Sequence, residues 1–203
     1  MQLISKVAVS AAKLEILAEG RPWWNKPAWR TMMPSSPHRQ AEDILLRFQE
    51  LRRDQDERPL SDRLDDLESV SMPPWWKLSE VRALVYRLHR TMWASRIGRV
   101  VVTKLSPGKS ITPHVDTGQN AAYYDRFQVC IGANTGCVFT CGGVRRTFSP
   151  GEIWWFDNRL EHSVVNDGKS DRLTLIIDLR VEDFGDGWRD TPASGHRLAQ
   201  ASA

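Results

Sequence analysis

The stretch CVFTCGGVRRTFSPGEIWWF, residues 137–156, decides the fold class. Cys137 to Thr140 and Val144 to Phe148 are short runs rich in β-branched and aromatic residues. Between them lies Gly142-Gly143, a dipeptide suited to the positive φ angles of a tight hairpin. Ser149-Pro150-Gly151 is a further turn signal, and Ile153 to Phe156 is the next run. The same texture continues in both directions. Arg99 to Leu105, stopped by Ser106-Pro107-Gly108, and Arg126 to Ile131 come before it. His162 to Val165 and Arg172 to Leu179, parted by the turn Asn166-Asp167-Gly168, come after it. Arg172 to Leu179 is apolar through its middle, as a central strand buried on both faces would be. Short strands in series with no intervening helix are the pattern of an antiparallel double-sheet barrel, a jelly roll or cupin. The sequence therefore predicts a mainly β protein with some α, whose double-stranded β-helix core spans residues 98–182.

Ahead of that core the periodicity reads as helical. Met1 to Glu19 forms an amphipathic pattern stopped by Gly20 and Pro22. Ile44, Leu45, Phe48 and Leu51 share one face of a second helix, with cap chemistry in Ser35-Ser36-Pro37. The charged run Asp54 to Pro59 ends it, and Ser61 to Val70 suits a short third helix. The strongest pattern runs from Leu78 to Trp93, entered through Pro73-Pro74, with Val81, Leu84, Val85 and Leu88 in its apolar stripe. A single domain of 203 residues is expected. It comprises N-terminal helices over 1–97 packed on the barrel, the catalytic core over 98–182, and a tail over 183–203 that is loosely ordered at its end.

Charge and cysteine content set further bounds. The 28 basic and 25 acidic residues leave a net charge of only +3 and no polybasic tract, so nucleic-acid binding is neither implied nor excluded. The apolar runs are too short for a membrane span, and the start lacks the apolar stretch of a signal peptide. Cys130, Cys137 and Cys141 are odd in number and point to reduced thiols in a cytoplasmic protein. Cys137 and Cys141 are spaced as a zinc pair could be, but their setting among Val, Phe and Thr is that of buried strand residues.

Chemistry concentrates in His114-Val115-Asp116 and His162. Two histidines and one carboxylate form the set that binds Fe(II) on one face of an octahedron, leaving positions open for substrate and O2. Along a strand, residues i and i+2 point to the same side, so His114 and Asp116 can both face the barrel interior. His162 opens another strand and can close the triangle. Arg172 follows the Asn-Asp-Gly turn and can project into the same cavity, where its planar fork would match a carboxylate. A lone His-x-Asp occurs by chance as a surface hydrogen-bonded pair. The second histidine, the arginine and the β context together favour metal binding.

Residues 105–108 (LSPG), Pro113-His114, Arg126, residues 151–158 (GEIWWFDN), residues 161–166 (EHSVVN), Arg172-Leu173 and Asp178 form an ordered series. This series resembles the aspartyl/asparaginyl β-hydroxylase family, 2-oxoglutarate-dependent iron dioxygenases with a double-stranded β-helix fold. The likeness covers about residues 98–180, and the first half shows no comparable motif. The resemblance implies Fe(II) bound by His114, Asp116 and His162, and the distal carboxylate of 2-oxoglutarate bound by Arg172. Thr103 matches a family position where a hydroxyl assists that contact. Arg126-Phe127-Gln128 matches an Arg-x-His whose last residue touches the co-substrate, and the resemblance implies Arg126 and Gln128 among the co-substrate-binding residues; the glutamine here can donate a hydrogen bond but adds no charge. The implied activity hydroxylates an unactivated C–H bond of an Asp/Asn-type residue in a peptide or protein, a free amino acid or a related small molecule, with O2 and 2-oxoglutarate consumed. A non-catalytic cupin-like protein that holds metal or ligand is one alternative. A nucleobase-directed dioxygenase is another, weakened by the absence of a basic stripe.

Nine tryptophans include the pairs Trp23-Trp24, Trp75-Trp76 and Trp154-Trp155. They read as seals between helices and barrel, or as a stacking surface for substrate. Arg21 to Arg39 could drape over the barrel mouth and bring His38, together with Arg47, to the substrate; the plainer reading is solvent-facing cap residues. Gln119-Asn120 and Tyr123-Tyr124 are better candidates for substrate contact, because the loop between Asp116 and Arg126 must border the metal. His89 reads as an ordinary helix histidine and His196 as a tail residue. Asp157 is expected to support a strand end, and Asp178 to orient the surroundings of Arg172 or to form a structural ion pair.

Overall fold

A computed structural model describes residues 1–27, 29–50 and 57–182. Its strands are β1 (Gln2–Lys6), β2 (Glu42–Phe48), β3 (Val70–Ser71), β4 (Arg96–Leu105), β5 (Lys109–His114) and β6 (Asp125–Gly132). They continue with β7 (Cys137–Cys141), β8 (Val144–Arg146), β9 (Glu152–Phe156), β10 (His162–Asn166) and β11 (Arg172–Arg180). The helices are α1 (Ser10–Glu19), α2 (Leu60–Leu64), α3 (Pro73–Lys77), α4 (Ser79–Thr91) and α5 (Gly118–Tyr123). The strands pair antiparallel in a seven-stranded sheet, ordered β1-β9-β6-β11-β4-β2-β3, and a four-stranded sheet, ordered β5-β10-β7-β8. This is the expected double-stranded β-helix. Gly142 and Gly143, at φ 54° and 77°, make the β7–β8 turn that only positive φ at both positions allows.

Side-chain alternation divides the large sheet into two faces with different partners. Its outer face presents Ile44, Val100, Val102, Phe127, Val129, Leu175 and Ile177 to the helices, where Ile16 of α1 and Val81, Val85 and Leu88 of α4 complete one core. Its inner face turns to the small sheet, and Leu105, Cys130 and Phe156 meet Ile111, Phe139 and Val164 there. That inner face also buries Asp43, Thr103, Arg126, Gln128, Arg172, Thr174 and Asp178. So many buried polar groups on one face mark where ligands belong, because burial without partners is costly.

The N-terminal region departs from the helical expectation. Residues 42–48 are a strand bonded to β4 and β3, not a helix. Ile44-Leu45-Leu46 is an unbroken apolar run, which fits either period. It becomes a strand because Ile44 and Leu46 reach the helix-side core while Leu45 packs on the opposite side with Val101 and Ile176. Residues 2–6 likewise form an edge strand on β9, so the first helix begins only at Ser10. α5 sits between two core strands, where no helix was expected. α4 follows its predicted stripe.

Trp75 is buried in the helix-side core, with Trp23, Trp24 and Trp155 packed against it, which is the sealing role. Trp76 and Trp93 are instead 67% and 84% exposed. All three cysteines are free and buried. Among the described residues no helix is long and apolar enough to cross a membrane. The expectations for Leu51, Asp54, Trp188, His196 and the tail fall outside the described residues.

Candidate active site

His114 is the last residue of β5 and His162 the first of β10, and the two are register partners across the antiparallel ladder. Their ring centroids are 4.2 Å apart. Asp116 lies beyond the strand end, so the alternation rule does not place it; a neighbouring loop does. Its backbone N–H donates to the Asn158 carbonyl at 3.0 Å. Its Oδ2 accepts from Asn158 Nδ2 at 3.0 Å and also from Arg126. Oδ1 remains turned toward His114 Nε2 at 3.7 Å. One donor atom from each of the three residues lies within 4.8 Å of the others.

The tautomers follow from the hydrogen bonds. His114 Nδ1 is 2.8 Å from the Thr112 carbonyl, and His162 Nδ1 is 2.9 Å from the Leu160 carbonyl. A carbonyl can only accept, so each Nδ1 carries a proton, and in the neutral ring it is Nε2 that offers the lone pair. His114 Nε2 is buried without a hydrogen-bond partner among protein atoms, an orphan that a metal would satisfy. Burial lowers the basicity of His162, although the Leu160 carbonyl and Asp116 oppose it. Burial pushes the Asp116 carboxyl up, but Arg126, His162 and Asn158 together hold it well below the usual carboxylate range. Two neutral imidazoles and one carboxylate anion are a donor set that fits a divalent iron.

Arg126 is the strut beneath this set. Its Nε and Nη2 donate to the two oxygens of Asp178 at 2.7 and 2.8 Å, while Nη1 goes to Asp116. Arg126 and Asp178 are register partners on β6 and β11. The guanidinium is thus committed to two carboxylates and holds Asp116 in place. Asp178 belongs to this ion pair and not to the surroundings of Arg172.

Arg172 is only 4% exposed and donates to Gln128 Oε1 at 2.8 Å. Among the described residues no carboxylate lies within ion-pair distance of it, and burial pulls its basicity down. Thr174, two residues on and therefore on the same face, has a buried hydroxyl with no partner. It stands opposite Thr103 in the ladder. Thr103 Oγ1 donates to Asp43 at 2.7 Å, and Asp43 in turn pairs with Arg30 at 3.1 Å. A desolvated guanidinium on the same face as an orphan hydroxyl is a pair of donors that would suit an anion.

With this geometry, residues 76–181, just over half of the chain, match the family model of aspartyl/asparaginyl β-hydroxylase. The chain belongs to that family. It is 29% identical over 97 residues to the mouse aspartyl/asparaginyl β-hydroxylase, covering 48% of this chain and 13% of that protein. It is 32% identical over 91 residues to the L-proline cis-4-hydroxylase of Rhizobium meliloti, covering 45% of this chain and 32% of that protein. The chain thus spans a third or less of these relatives' length. A crystal structure from Burkholderia pseudomallei, described as an oxidoreductase of the 2OG-Fe(II) oxygenase family, superposes with a TM-score of 0.52. That likeness holds at 12% identity over 88% of this chain and 92% of the other, and it shows a shared fold.

Other residues singled out in this β-hydroxylase family member fall in varied places. His38 stands edge-on to His114, with ring centroids 5.0 Å apart, and Arg30 Nη2 lies within 3.2 Å of both its ring nitrogens. The 21–39 segment therefore does reach the histidine site. Arg47 does not: it bonds Ser71 and the Ser69 carbonyl and covers Trp75. Tyr124 donates to the Leu67 carbonyl at 2.7 Å, and Tyr123 lies under Arg180. The backbone N–H groups of Gln119 and Asn120 are capped by Asp65. Asp157 pairs with Arg159, as a loop support would. Asn158 and Thr174 received no role from the sequence. The signal for Thr174 was its i+2 spacing from Arg172; that for Asn158 was its place at the end of the 151–158 series.

Proposed function

We propose that this chain is a 2-oxoglutarate- and Fe(II)-dependent hydroxylase of a peptide residue or free amino acid. The observation that carries this reading is the pairing of His114 and His162 across β5 and β10, with both Nε2 atoms freed by backbone carbonyls on Nδ1 and Asp116 alongside. His114, Asp116 and His162 would hold the iron. When bound, iron supplies the O2 activation that converts 2-oxoglutarate to succinate and CO2 and hydroxylates one C–H bond. Arg126 and Asn158 occupy Asp116 Oδ2, so that Oδ1 alone is presented to the metal. Arg172 would receive the distal carboxylate of the co-substrate, with the Thr174 hydroxyl as a second donor. Gln128 spends its oxygen on Arg172 and keeps its amide N–H groups available to the same anion. The two packed sheets exclude water from these charges and so strengthen each contact. The substrate class is suggested by the relatives, one named for aspartyl and asparaginyl residues and one for L-proline.

The test is succinate formation from 2-oxoglutarate with Fe(II) under air, with 2-oxoglutarate binding measured by calorimetry. Succinate should disappear in His114→Ala and His162→Ala. Arg172→Gln should weaken 2-oxoglutarate binding about 10- to 100-fold, as loss of a charge-assisted pair implies. A protein that binds both ligands and never makes succinate would instead be a non-catalytic cupin-like binder.

A further inference from the structure

Two guanidiniums on the inner face of the large sheet lack a carboxylate within ion-pair distance among the described residues. One is Arg172, assigned above to the co-substrate. The other is Arg99, near the opposite end of β4. Arg172 is the register partner of Leu105. Six residues of strand therefore separate the two arginines along the sheet, about 20 Å at roughly 3.3 Å per residue. Asp116 and Arg126 lie among the charges that act on Arg99, so Arg99 is within electrostatic reach of the candidate metal ligands.

The partners of Arg99 are neutral. Nε donates to Gln49 Oε1 at 2.9 Å, Nη2 donates to the Leu64 carbonyl, and the guanidinium lies 5.2 Å from the centroid of the Phe48 ring. Burial pulls its pKa down to about 10, with Asp178 opposing. Arg99 also lines a pocket of about 600 Å³, together with Arg58, Asp62, Asp65, Gly118 and Gln119. Thr117, Gly118 and Gln119, all in the lining, follow Asp116 directly, so the pocket opens beside the loop that carries the third candidate metal ligand. Asp65 fixes that loop by accepting the N–H groups of Gln119 and Asn120 at 2.8 and 2.9 Å. Gly118 is required there: its φ is +89°, and a Cβ would lie 2.5 Å from the Asp65 carboxylate.

We infer that this pocket is the subsite for the substrate to be hydroxylated, and that Arg99 binds a carboxylate of a zwitterionic amino-acid substrate. The inference rests on the hydroxylase reading above. Of the two guanidiniums in the lining, Arg58 is held by both oxygens of Asp66 at 2.8 and 2.9 Å, so Arg99 is the one without a carboxylate partner among the described residues, set among the lining carboxylates Asp62 and Asp65. That balance suits a ligand with both an ammonium and a carboxylate, and disfavours a compact dianion such as phosphate.

The test measures binding to the purified protein by calorimetry, with no metal or co-substrate added. The probes are L-amino acids, including aspartate, asparagine and proline, each compared with its α-carboxamide, and inorganic phosphate. At least one acid should bind, and its amide should bind at least tenfold more weakly. Arg99→Gln should remove that difference, Arg99→Lys should keep part of it, and Arg172→Gln should leave it intact. Equal binding of acids and amides, phosphate as the tightest ligand, no binding by any acid, or full discrimination in Arg99→Gln would each overturn the assignment. The acid–amide comparison on the unaltered chain stands even if Arg99→Gln does not fold. A protein that discriminates acids through Arg99 but makes no succinate overturns the oxygenase reading and leaves Arg99 only as a carboxylate-binding residue. One that makes succinate yet is indifferent to Arg99 overturns the subsite alone.

Discussion

Replacing Arg126 with glutamine should expose how much of the site's order rests on one side chain. The substitution removes two hydrogen bonds to Asp178, which is 1% exposed, and one to Asp116. Glutamine cannot span both carboxylates, so two anions are left buried without a counterion. Breaking a buried pair in this way costs about 3–5 kcal/mol. The loss is a large part of the ~5–15 kcal/mol that holds an ordinary domain together. In urea, with a slope of about 2–3 kcal/mol per molar, it would lower the unfolding midpoint by roughly 1–2.5 M. The assay is equilibrium unfolding followed by tryptophan fluorescence. Arg126→Gln combined with Asp178→Asn should recover part of the loss, because the deeper stranded charge is then gone. Co(II) affinity should also fall about 10- to 100-fold, since Asp116 loses the group that aims it. A single variant within ~1 kcal/mol of the unaltered chain, or a double variant no more stable than the single, would refute the strut assignment.

Leu88→Ala on α4 should cost about 2–5 kcal/mol by opening a cavity in the helix-side core, whereas Leu17→Ala, at an exposed position of α1, should cost under ~0.5 kcal/mol; matched urea melts compare them. Burial pushes the Cys130 thiol up to about 11, above its value in an unfolded chain. Its stabilising contribution is therefore complete below about pH 8.5 and is lost as the pH rises through the folded value. Cys130→Ala should flatten that alkaline limb, and an unchanged limb would assign the loss to other groups. Gly118→Ala combines a strained φ with a clash against Asp65, so it should lower the melting temperature by several degrees, consistent with a loss of ~1–3 kcal/mol.

Much of the β core could be read directly because its signals are local. Gly142-Gly143 and Ser149-Pro150-Gly151 fix turns within a few residues, and the strands between them are too short to be anything else. The α4 stripe repeats over 13 residues, long enough for its period to be unambiguous. Residues 42–48 offered no such length: three adjacent apolar side chains suit a helix as well as a strand, and only the exposed edge of β4 decides between them.

The candidate ligand types and their order can be read from the chain alone: two histidines, an aspartate and the arginine on the following strand. Chain spacing and residue chemistry suffice for that, because a metal set is defined by donor atoms that few residues supply. The tertiary structure alone decided what each of them does. Asp116 is aimed by Asn158 and Arg126, Arg126 is tied down by Asp178, and the Thr174 hydroxyl is left without a partner. Arg99 likewise becomes a pocket wall only when residues 49, 64 and 118 are brought around it. These relations join residues up to 52 positions apart, and no local pattern encodes them. They arise when the sheets close and force each buried charge to find a partner or to wait for a ligand.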